Sequence, residues 1–493
     1  MLLLGIDVGT SSIKVSVVDA QTQQTVASAH YPEEETGIIS HQPGWAEQSP
    51  EGWWYYVQQA ILKVHASGRY TAADIAAIGI AYQMHGLVLI DKEQRVLRDS
   101  IIWCDSRAVP YGNKAFAAIG EQQSLSHLLN SPGNFTAAKL AWVKDNEPEL
   151  FARIDKVLLP GDFIALKLTG ETTTSIAALS EGVFWDFATN SLSQDVFNYF
   201  GFDTSVIPAI QPVFSSHGLL KKEMAEQLSL SAGIPVSYKA GDQPNNALSL
   251  NVLDPGEVAA TAGTSGVIYG VSDKATYDPQ SRVNSFAHVN HTAVQQRIGV
   301  LLCINGTGIL NRWIKNLSGT ERSYQVLNDA ATQIQPGCNG LYILPFGNGA
   351  ERILNNRIVG SHIHQVDLNR HTAAHVYRAG QEGIAFAFRY GLDIMRENGM
   401  HPSVIRAGKA NMFLSKIFTE AFVNATNIPV ELYENDGSAG AALGAGIGAG
   451  IFTNAKDAFT LAKPLQLIEP TPANVYNDLY AEWKHYLVKD LQE

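Results

Sequence analysis

A short strand–turn–strand pattern occurs twice in this chain, about half the chain length apart. The first copy spans residues 2–18 around the turn Gly9-Thr10-Ser11-Ser12, and the second spans residues 258–271 around Gly263-Thr264-Ser265. Apolar and β-branched residues flank both turns, as in β-hairpins. One match is weak evidence, but the same turn in the same kind of hairpin at the start of each half predicts two similarly built α/β domains.

The length of the chain agrees with this division. A chain of 493 residues exceeds what one hydrophobic core usually serves, and its 45% hydrophobic and 17% charged residues are globular values. A turn at Asp254-Pro255-Gly256 lies near the midpoint. We therefore predict one domain over residues 1–245 and a second over residues 246–493.

The charge and the cysteine content exclude several classes of function. The 47 acidic residues outnumber the 35 basic ones, and a net charge of −12 gives no general cationic surface for nucleic acid. Cys104, Cys303 and Cys338 form no C-x-x-C pair, which argues against a zinc knuckle or a disulfide framework and favours the cytoplasm. The acidic balance fits a small-molecule ligand, and from the first residues we expect neither a signal peptide nor a membrane anchor, and thus no membrane partner.

The first turn follows an acidic residue, in the run Asp7-Val8-Gly9-Thr10-Ser11. A turn of glycine and small hydroxyl residues lets backbone amides approach a phosphate closely, and Asp7 stands where it can hold a metal ion. An ordinary hairpin with Asp7 capping its turn is the alternative. In the second hairpin Thr261 takes the place of Asp7, so one acidic metal site between two phosphate-binding turns would suit a nucleotide.

Asp242 is the second candidate acid. It follows a predicted strand at Val236–Ala240 and precedes Pro244, which opens a predicted helix. Ligands of α/β proteins commonly bind at such strand ends. Helix capping explains an acid before a proline equally well.

Two polar segments offer groups suited to a sugar. Gln83-Met84-His85-Gly86 follows an apolar run, and Trp103-Cys104-Asp105-Ser106-Arg107 combines an aromatic ring with an acid and a base. A lone histidine after a strand is more often a structural hydrogen-bonding group, and the second segment could equally be a salt-bridged turn.

Other patterns are set aside. Gly444–Ala449 resembles a dinucleotide fingerprint, but a small-residue segment precedes it instead of a buried strand, so we expect close helix packing. His362, His364, His371 and His375 lack an H-E-x-x-H motif, and we expect a solvated face. There is no P-loop motif and no G-x-S-x-G.

The chain resembles the FGGY carbohydrate kinases of the actin-like ATPase superfamily over nearly its whole length. The segments that carry the resemblance are Gly5–Ser11, Gln83–Gly86, Trp103–Arg107, Phe135–Trp142, Leu158–Asp162, Gly241–Asn246 and Thr261–Gly266. The resemblance implies two ribonuclease-H-like domains flanking a central cleft, with ATP and Mg²⁺ as cofactors, a sugar as substrate and a possible homodimer. Met412 departs from the family pattern, which usually has a polar residue near the purine.

The resemblance also implies roles for single residues. Asp242 is the expected catalytic base and Asp7 the expected metal-associated acid. The expected sugar contacts are Gln83, Met84, His85, Trp103, Asp105 and Asn245. The expected nucleotide contacts are Gly9, Thr10, Ser11, Lys14, Gly263, Thr264, Gly408, Lys409 and Asn411.

Within the family that the chain resembles, the run Gln83-Met84-His85-Gly86 implies D-xylulose as the sugar, and family analogy implies direct in-line transfer to its 5-hydroxyl. Three alternatives stay open. The chain could act on another ketose or polyol of the ribulose, glycerol or gluconate type, it could be a non-catalytic sugar-responsive regulator, or it could be an ATPase of the chaperone or actin type.

Overall fold

The computed structural model describes residues 1–319, 321–472 and 475–492. The strands of the first half are β1 (Leu2–Val8), β2 (Ile13–Asp19), β3 (Thr25–Tyr31), β4 (Glu47–Gln48), β5 (Ile75–Tyr82), β6 (Val88–Ile90), β7 (Ser100–Ile101), β8 (Lys156–Leu158), β9 (Thr173–Thr174), β10 (Trp185–Asp186), β11 (Ser191–Leu192), β12 (Ala209–Ile210) and β13 (Val236–Gly241). Its helices are α1 (Pro50–His65), α2 (Val109–Ile119), α3 (Glu121–Leu128), α4 (Thr136–Asn146), α5 (Pro148–Phe151), α6 (Pro160–Thr169), α7 (Ile176–Glu181), α8 (Gln194–Phe200), α9 (Lys222–Leu228) and α10 (Asp242–Ser249).

The second half is built in the same way from strands and helices. Its strands are β14 (Val258–Ala262), β15 (Gly266–Ser272), β16 (Asn284–Ala287), β17 (Ile298–Ile304), β18 (Tyr342–Phe346), β19 (Gly360–His364), β20 (Ile405–Gly408), β21 (Val430–Tyr433) and β22 (Gln466–Ile468). Its helices are α11 (Gly308–Leu317), α12 (Tyr324–Ala331), α13 (Ala373–Glu397), α14 (Lys416–Thr426), α15 (Gly437–Gly448) and α16 (Tyr476–Gln492).

The two main sheets share one topology. The first has the order β13-β5-β1-β2-β3, and the second contains the matching order β21-β20-β14-β15-β17, extended by β22 at one edge and β16 at the other. In each sheet the hairpin is antiparallel, and the first hairpin strand pairs in parallel with a later strand. The sequence repeat therefore marks equivalent hairpins, and both halves have the ribonuclease-H-like arrangement that the resemblance implied.

Helix α15 connects the halves because it comes from the second half of the chain and packs on the first sheet. At the points of closest approach the sheet carries glycines. A Cβ atom on Gly5 would lie 1.8 Å from the carbonyl oxygen of Ser438, and one on Gly79 would lie 2.0 Å from that of Ala441. On the helix, a Cβ on Gly444 would lie 2.7 Å from the Tyr238 ring. The glycine-rich segment is thus a closely packed helix, as the sequence predicted.

Strand β1 divides its side chains between two environments. Leu2, Leu4, Ile6 and Val8 enter a core shared with α1 and α6, while Leu3 enters the core that continues into the second half. Alternate residues of a strand point to opposite faces, so Asp7 lies on the face of Gly5, towards α15. The strand that builds the first core therefore also delivers Asp7 to the junction of the halves.

Helix α10 provides the reciprocal connection. It follows the last strand of the first sheet, packs against α15, and touches β14 and β15 of the second sheet. In the described ranges no helix is long and apolar enough to cross a membrane. The three cysteines are free thiols.

Candidate active site

Asp7 lies near the end of β1, beside the first residue of α15. It pairs in register with Lys14 on β2. A Cβ atom on Gly437 would lie only 2.4 Å from the Asp7 Oδ2, so the helix starts directly against this carboxyl group. Burial raises the pKa of Asp7 to about 6, and Asp436 adds to the shift while Lys14 opposes it. The site therefore favours a cation beside Asp7.

Lys14 is paired within the protein. Its Nζ lies 2.5 Å from an Asp436 carboxylate oxygen, and about half of the lysine side chain is exposed. Asp436 also caps α15 by accepting a hydrogen bond from the Ser438 amide. The lysine thus links the first hairpin to the start of the interdomain helix.

Asp242 begins α10 at the carboxyl end of β13, next to the end of β5. Burial raises the pKa of Asp242 to about 7, and the charge of Asp7 adds to this shift. The two acids named from the sequence are therefore brought together at one edge of the first sheet, close enough to interact electrostatically. Because like charges oppose the ionisation of both groups, a cation between them would lower both pKa values.

Met84 lies beside Gly241, the residue before Asp242, and His85 follows Met84 in the chain. Met84 is buried, and its Sδ lies 3.2 Å from where a Cβ on Gly241 would be. His85 has a left-handed backbone with φ of 63°, and its ring packs against Phe135 and Phe286 with centroids 4.9 and 5.5 Å away. Burial, with a smaller effect of Lys139, lowers the pKa of His85 to about 3, so its ring is neutral.

The hydrogen bonds of the neutral His85 ring define which of its two nitrogens carries the proton. Its Nδ1 lies 3.1 Å from the carbonyl oxygen of Glu181. A carbonyl oxygen only accepts, so Nδ1 carries the proton and Nε2 presents a lone pair. The carbonyl of His85 accepts a hydrogen bond of 2.7 Å from the Lys139 Nζ. His85 is thereby oriented to accept a hydrogen bond from a hydroxyl group.

Glu181, which the sequence analysis missed, supports His85. Its Oε1 accepts the His85 backbone N–H at 3.1 Å, and its Oε2 would lie 2.9 Å from a Cβ on Gly241. Burial raises the pKa of Glu181 well above its usual value, and the charges of Asp242 and Asp162 add to the shift. The signal that could have found it is an acid in the otherwise apolar and small-residue run of residues 176–184.

A chain of hydrogen bonds connects the first hairpin turn to the other sugar candidates. The Trp103 indole N–H donates to the Thr10 hydroxyl at 3.0 Å, and that hydroxyl donates to the Gln83 Oε1 at 3.2 Å. Gln83 is buried, whereas about half of Trp103 is exposed. Gly9 and Ser11 flank Thr10 in the same turn.

Asp105 is buried in an ion pair instead of facing a free space. Its Oδ2 lies 2.7 Å from the Arg107 Nη2 and accepts the Ala46 N–H at 2.6 Å, while its Oδ1 accepts the Arg107 N–H. The Arg107 guanidinium stacks on the Trp45 ring at 3.9 Å. The salt-bridged turn that the sequence left open therefore describes Asp105.

Asn245 lies one helical turn after Asp242. Its Nδ2 donates to the Gly437 carbonyl at 2.8 Å, which ties α10 to α15. Its Oδ1 is buried and has no hydrogen-bond partner among the residues that the structure describes. Because a buried unpaired amide oxygen is costly, this atom is available to a ligand.

A cavity of about 380 Å³ adjoins the second hairpin turn. Gly263 and Thr264 line it on one side, and Asn411 and the buried Met412 line it on another. Gly408 ends β20, the strand that leads to this wall, and packs close to Asn435. Lys409 follows the strand, and its amide donates to the Tyr433 carbonyl. Lining residues that the sequence did not single out are Asn311, Arg312, Tyr324 and Gln381.

Helix α11 starts against the second turn. The amides of Gly308 and Ile309 donate to the carbonyls of Gly263 and Thr264 at 2.9 and 3.1 Å. A Cβ on Gly308 would lie 2.3 Å from the Gly263 oxygen, so the contact needs a glycine. This packing fixes the turn at the entrance of the cavity.

Two ribonuclease-H-like domains, with acids at one sheet edge and a cavity beside the equivalent hairpin, define the actin-like ATPase fold. The descriptions "FGGY family of carbohydrate kinases, N-terminal domain" and "C-terminal domain" match residues 2–249 and 258–451. The chain belongs to the FGGY family of carbohydrate kinases.

Several relatives are known by sequence or structure. The Escherichia coli K12 xylulose kinase is 30% identical over 446 residues, covering 90% of this chain and 88% of the relative. A crystal structure described as a xyloylose kinase from Brucella ovis is 27% identical, with a TM-score of 0.90 over 100% of this chain and 99% of that one. The Plasmodium falciparum glycerol kinase with ADP, 20% identical with a TM-score of 0.89 over 99% and 98% of the chains, shares the fold.

Proposed function

We propose that this carbohydrate kinase transfers the γ-phosphoryl group of ATP directly to a ketose, with the 5-hydroxyl of D-xylulose as the first candidate acceptor. The observation that carries the proposal is that Asp7 and Asp242 lie at the same edge of the first sheet, where the charge of Asp7 raises the pKa of Asp242 and Met84 packs at the neighbouring Gly241. The name of the Escherichia coli relative supports the choice of sugar.

Asp242 is the proposed general base. Its carboxylate would accept the proton of the attacking hydroxyl as the phosphoryl group is transferred. The His85 Nε2 and the unpaired Asn245 Oδ1 would accept hydrogen bonds from other hydroxyls of the sugar. Met84 would provide an apolar contact, and Gln83 and Trp103, both hydrogen-bonded to Thr10 of the first hairpin turn, would border the sugar.

The residues fit a magnesium nucleotide. Asp7 offers a hard oxygen ligand at a position where two acids favour a cation. Mg²⁺ would neutralise negative charge on the phosphates. The amides of Gly9, Thr10 and Ser11 in one turn and of Gly263 and Thr264 in the other would hold phosphate oxygens. The base would occupy the cavity lined by Asn411 and Met412.

Four residues of the predicted set receive indirect roles. Lys14, paired with Asp436, would hold the start of α15 near the phosphates. Asp105, paired with Arg107, would position the turn that carries Trp103. Gly408 and Lys409 would form the turn that leads to Asn411 and Met412, on the side of the cavity proposed to hold the adenosine. We also propose that the two domains divide between residues 245 and 246, that the protein is cytoplasmic and that it forms a homodimer.

A sugar panel tests the proposed reaction. ADP release should be strongly sugar-dependent, with kcat/KM for D-xylulose at least about tenfold above that for ribulose, glycerol or gluconate, a difference of about 1.4 kcal/mol. Preference for another member of the panel would replace the sugar but keep the kinase. ADP release that ignores sugar would favour an ATPase, and no release by folded protein would favour a sugar-responsive regulator.

Glu181 supplies a matched pair of variants. Because burial raises the pKa of Glu181 and so favours its neutral form, Glu181→Gln keeps a neutral side chain of the same size, and we expect kcat/KM within about threefold of wild type. Glu181→Ala leaves the His85 N–H buried and unpaired, and should raise the sugar KM about 10- to 100-fold with little change in the KM for ATP. Equal damage in both variants would show that a negative charge at Glu181 is needed.

A further inference from the structure

A second group of ligand-type side chains lies in the second half, between β19 and the end of α16. It consists of His362, His364 and Asp490, whose potential ligand atoms all lie within 4.8 Å of one another. The two histidines are two residues apart on one strand, so their side chains share a face. Both rings lie at the surface, where the His362 side chain is 41% exposed and that of His364 is 18% exposed. None of the elements β18, β19 and α16 carries a residue of the proposed ATP or sugar sites.

His371 and His375 serve a different purpose. The His371 Nδ1 accepts the Asp367 amide, and His375 caps the first turn of α13 through Thr372. The Nε2 of His375 is 3.1 Å from the Asn339 side-chain amide. These two rings are therefore engaged in local structure and do not join the cluster.

The orientation of His362 leaves a lone pair directed at a carboxylate. Its Nε2 lies 2.9 Å from the Val359 carbonyl, which fixes the proton of a neutral ring on that nitrogen. The other nitrogen, Nδ1, lies 3.2 Å from the Asp490 Oδ2. Two acceptors face each other in the neutral state, so a cation must bridge them or a second proton must be added to the ring. A backbone carbonyl on the far nitrogen is also the usual outer-shell partner of a metal-bound histidine.

His364 and Asp490 complete the group. The His364 Nε2 lies 3.0 Å from the same Asp490 oxygen, and its ring stacks on Tyr486 with centroids 4.6 Å apart. The side chain of Asp490 is only 6% exposed. Tyr486 lies one helical turn before Asp490 on α16, so one helix both orients the ring and supplies the carboxylate.

We propose that His362, His364 and Asp490 form a binding site for a divalent transition metal of the zinc class. Ligands at about 2.0 Å from tetrahedral zinc lie about 3.3 Å apart, which matches both histidine–aspartate distances. Small side-chain rotations bring the two histidine nitrogens to the same separation, and water would take the fourth position. Imidazole nitrogens favour zinc over the Mg²⁺ of the kinase reaction. The bound metal would tie the C-terminal helix to the β18–β19 hairpin.

Metal titration tests this site on the full-length, tag-free protein, stripped with chelator and free of nucleotide. We expect one equivalent of Co²⁺ to give the intense visible absorption of tetrahedral coordination, and Zn²⁺ to displace it. Asp490→Asn, which preserves side-chain size, and His364→Ala should each weaken Zn²⁺ binding about 100-fold or more. His485→Ala, an exposed histidine on the same helix, is the control and should bind normally.

Thermal unfolding provides a second readout. Saturating Zn²⁺ should raise the Tm of the wild type and of His485→Ala, because a ligand that binds only the folded state stabilises it. The Tm of Asp490→Asn should not respond to Zn²⁺. The proposal is overturned if the wild type binds no stoichiometric Co²⁺ or Zn²⁺, or if all variants bind equally. An octahedral Co²⁺ spectrum that persists in Asp490→Asn would have the same consequence.

Discussion

Asp242→Asn is expected to lower kcat for the sugar about 1,000-fold, while the affinity for ATP changes no more than about threefold. General-base catalysis typically contributes between about 10² and 10⁴ in rate, and asparagine keeps the size of the side chain but cannot accept the proton. A 1,000-fold loss corresponds to about 4 kcal/mol in the activation free energy. Steady-state kinetics and ATP binding by calorimetry measure the two quantities separately.

The sequence left helix capping as an equal explanation of Asp242, and a matched variant separates the two roles. Asp195 also lies in the first turn of a helix, α8, away from the proposed site. Asp195→Asn should change stability slightly and leave kcat unaltered. A kcat for Asp242→Asn close to that of wild type would remove Asp242 from the role of base.

Gly79→Ala is expected to lower the free energy of unfolding by about 3 kcal/mol or more. The new Cβ would lie 2.0 Å from the backbone carbonyl oxygen of Ala441 and 3.1 Å from the Ala445 Cβ, so strand or helix has to move. Overpacking at buried contacts commonly costs about 1–3 kcal/mol, and backbone on both sides leaves little room for relief. Denaturant titration of variant and wild type measures the difference.

The same substitution should also affect the active site. Helix α15 starts against Asp7, so displacing the helix from the sheet should weaken binding of magnesium ATP. Gly37→Ala is the control, since a Cβ there meets no atom within 4 Å. If Gly79→Ala is as stable as Gly37→Ala, helix α15 does not depend on close contact with the first sheet.

Local patterns predicted the elements that carry the site. The first two strands, the turn at Gly9 and the strand before Asp242 follow directly from apolar runs bounded by turn residues. The sequence predicted that the helix after Asp242 begins at Pro244, but it begins two residues earlier, at Asp242 itself. Proline is tolerated anywhere in the first turn of a helix, so Pro244 does not fix the first residue. The predicted ends of these strands therefore gave the positions of both acids in the fold.

Long-range partners could not be predicted in the same way. The glycines at Gly444 and Gly448 indicated close packing, but small residues do not specify which surface they approach. The packing of α15 on the first sheet depends on the glycines Gly5 and Gly79, which are far from α15 in the sequence. Glu181 was missed for a related reason, since its role comes from its distance to His85 and Asp242. The role of Asp105 likewise depends on its ion pair with Arg107, which the sequence alone did not establish.

The most direct test of the central claim is a crystal structure of Asp242→Asn with ATP, Mg²⁺ and D-xylulose. The account predicts the terminal sugar hydroxyl against the side chain of residue 242, the metal ion beside Asp7, and the γ-phosphate between them. A sugar bound away from His85 and residue 242, or a nucleotide whose phosphates do not reach Asp7, would contradict it.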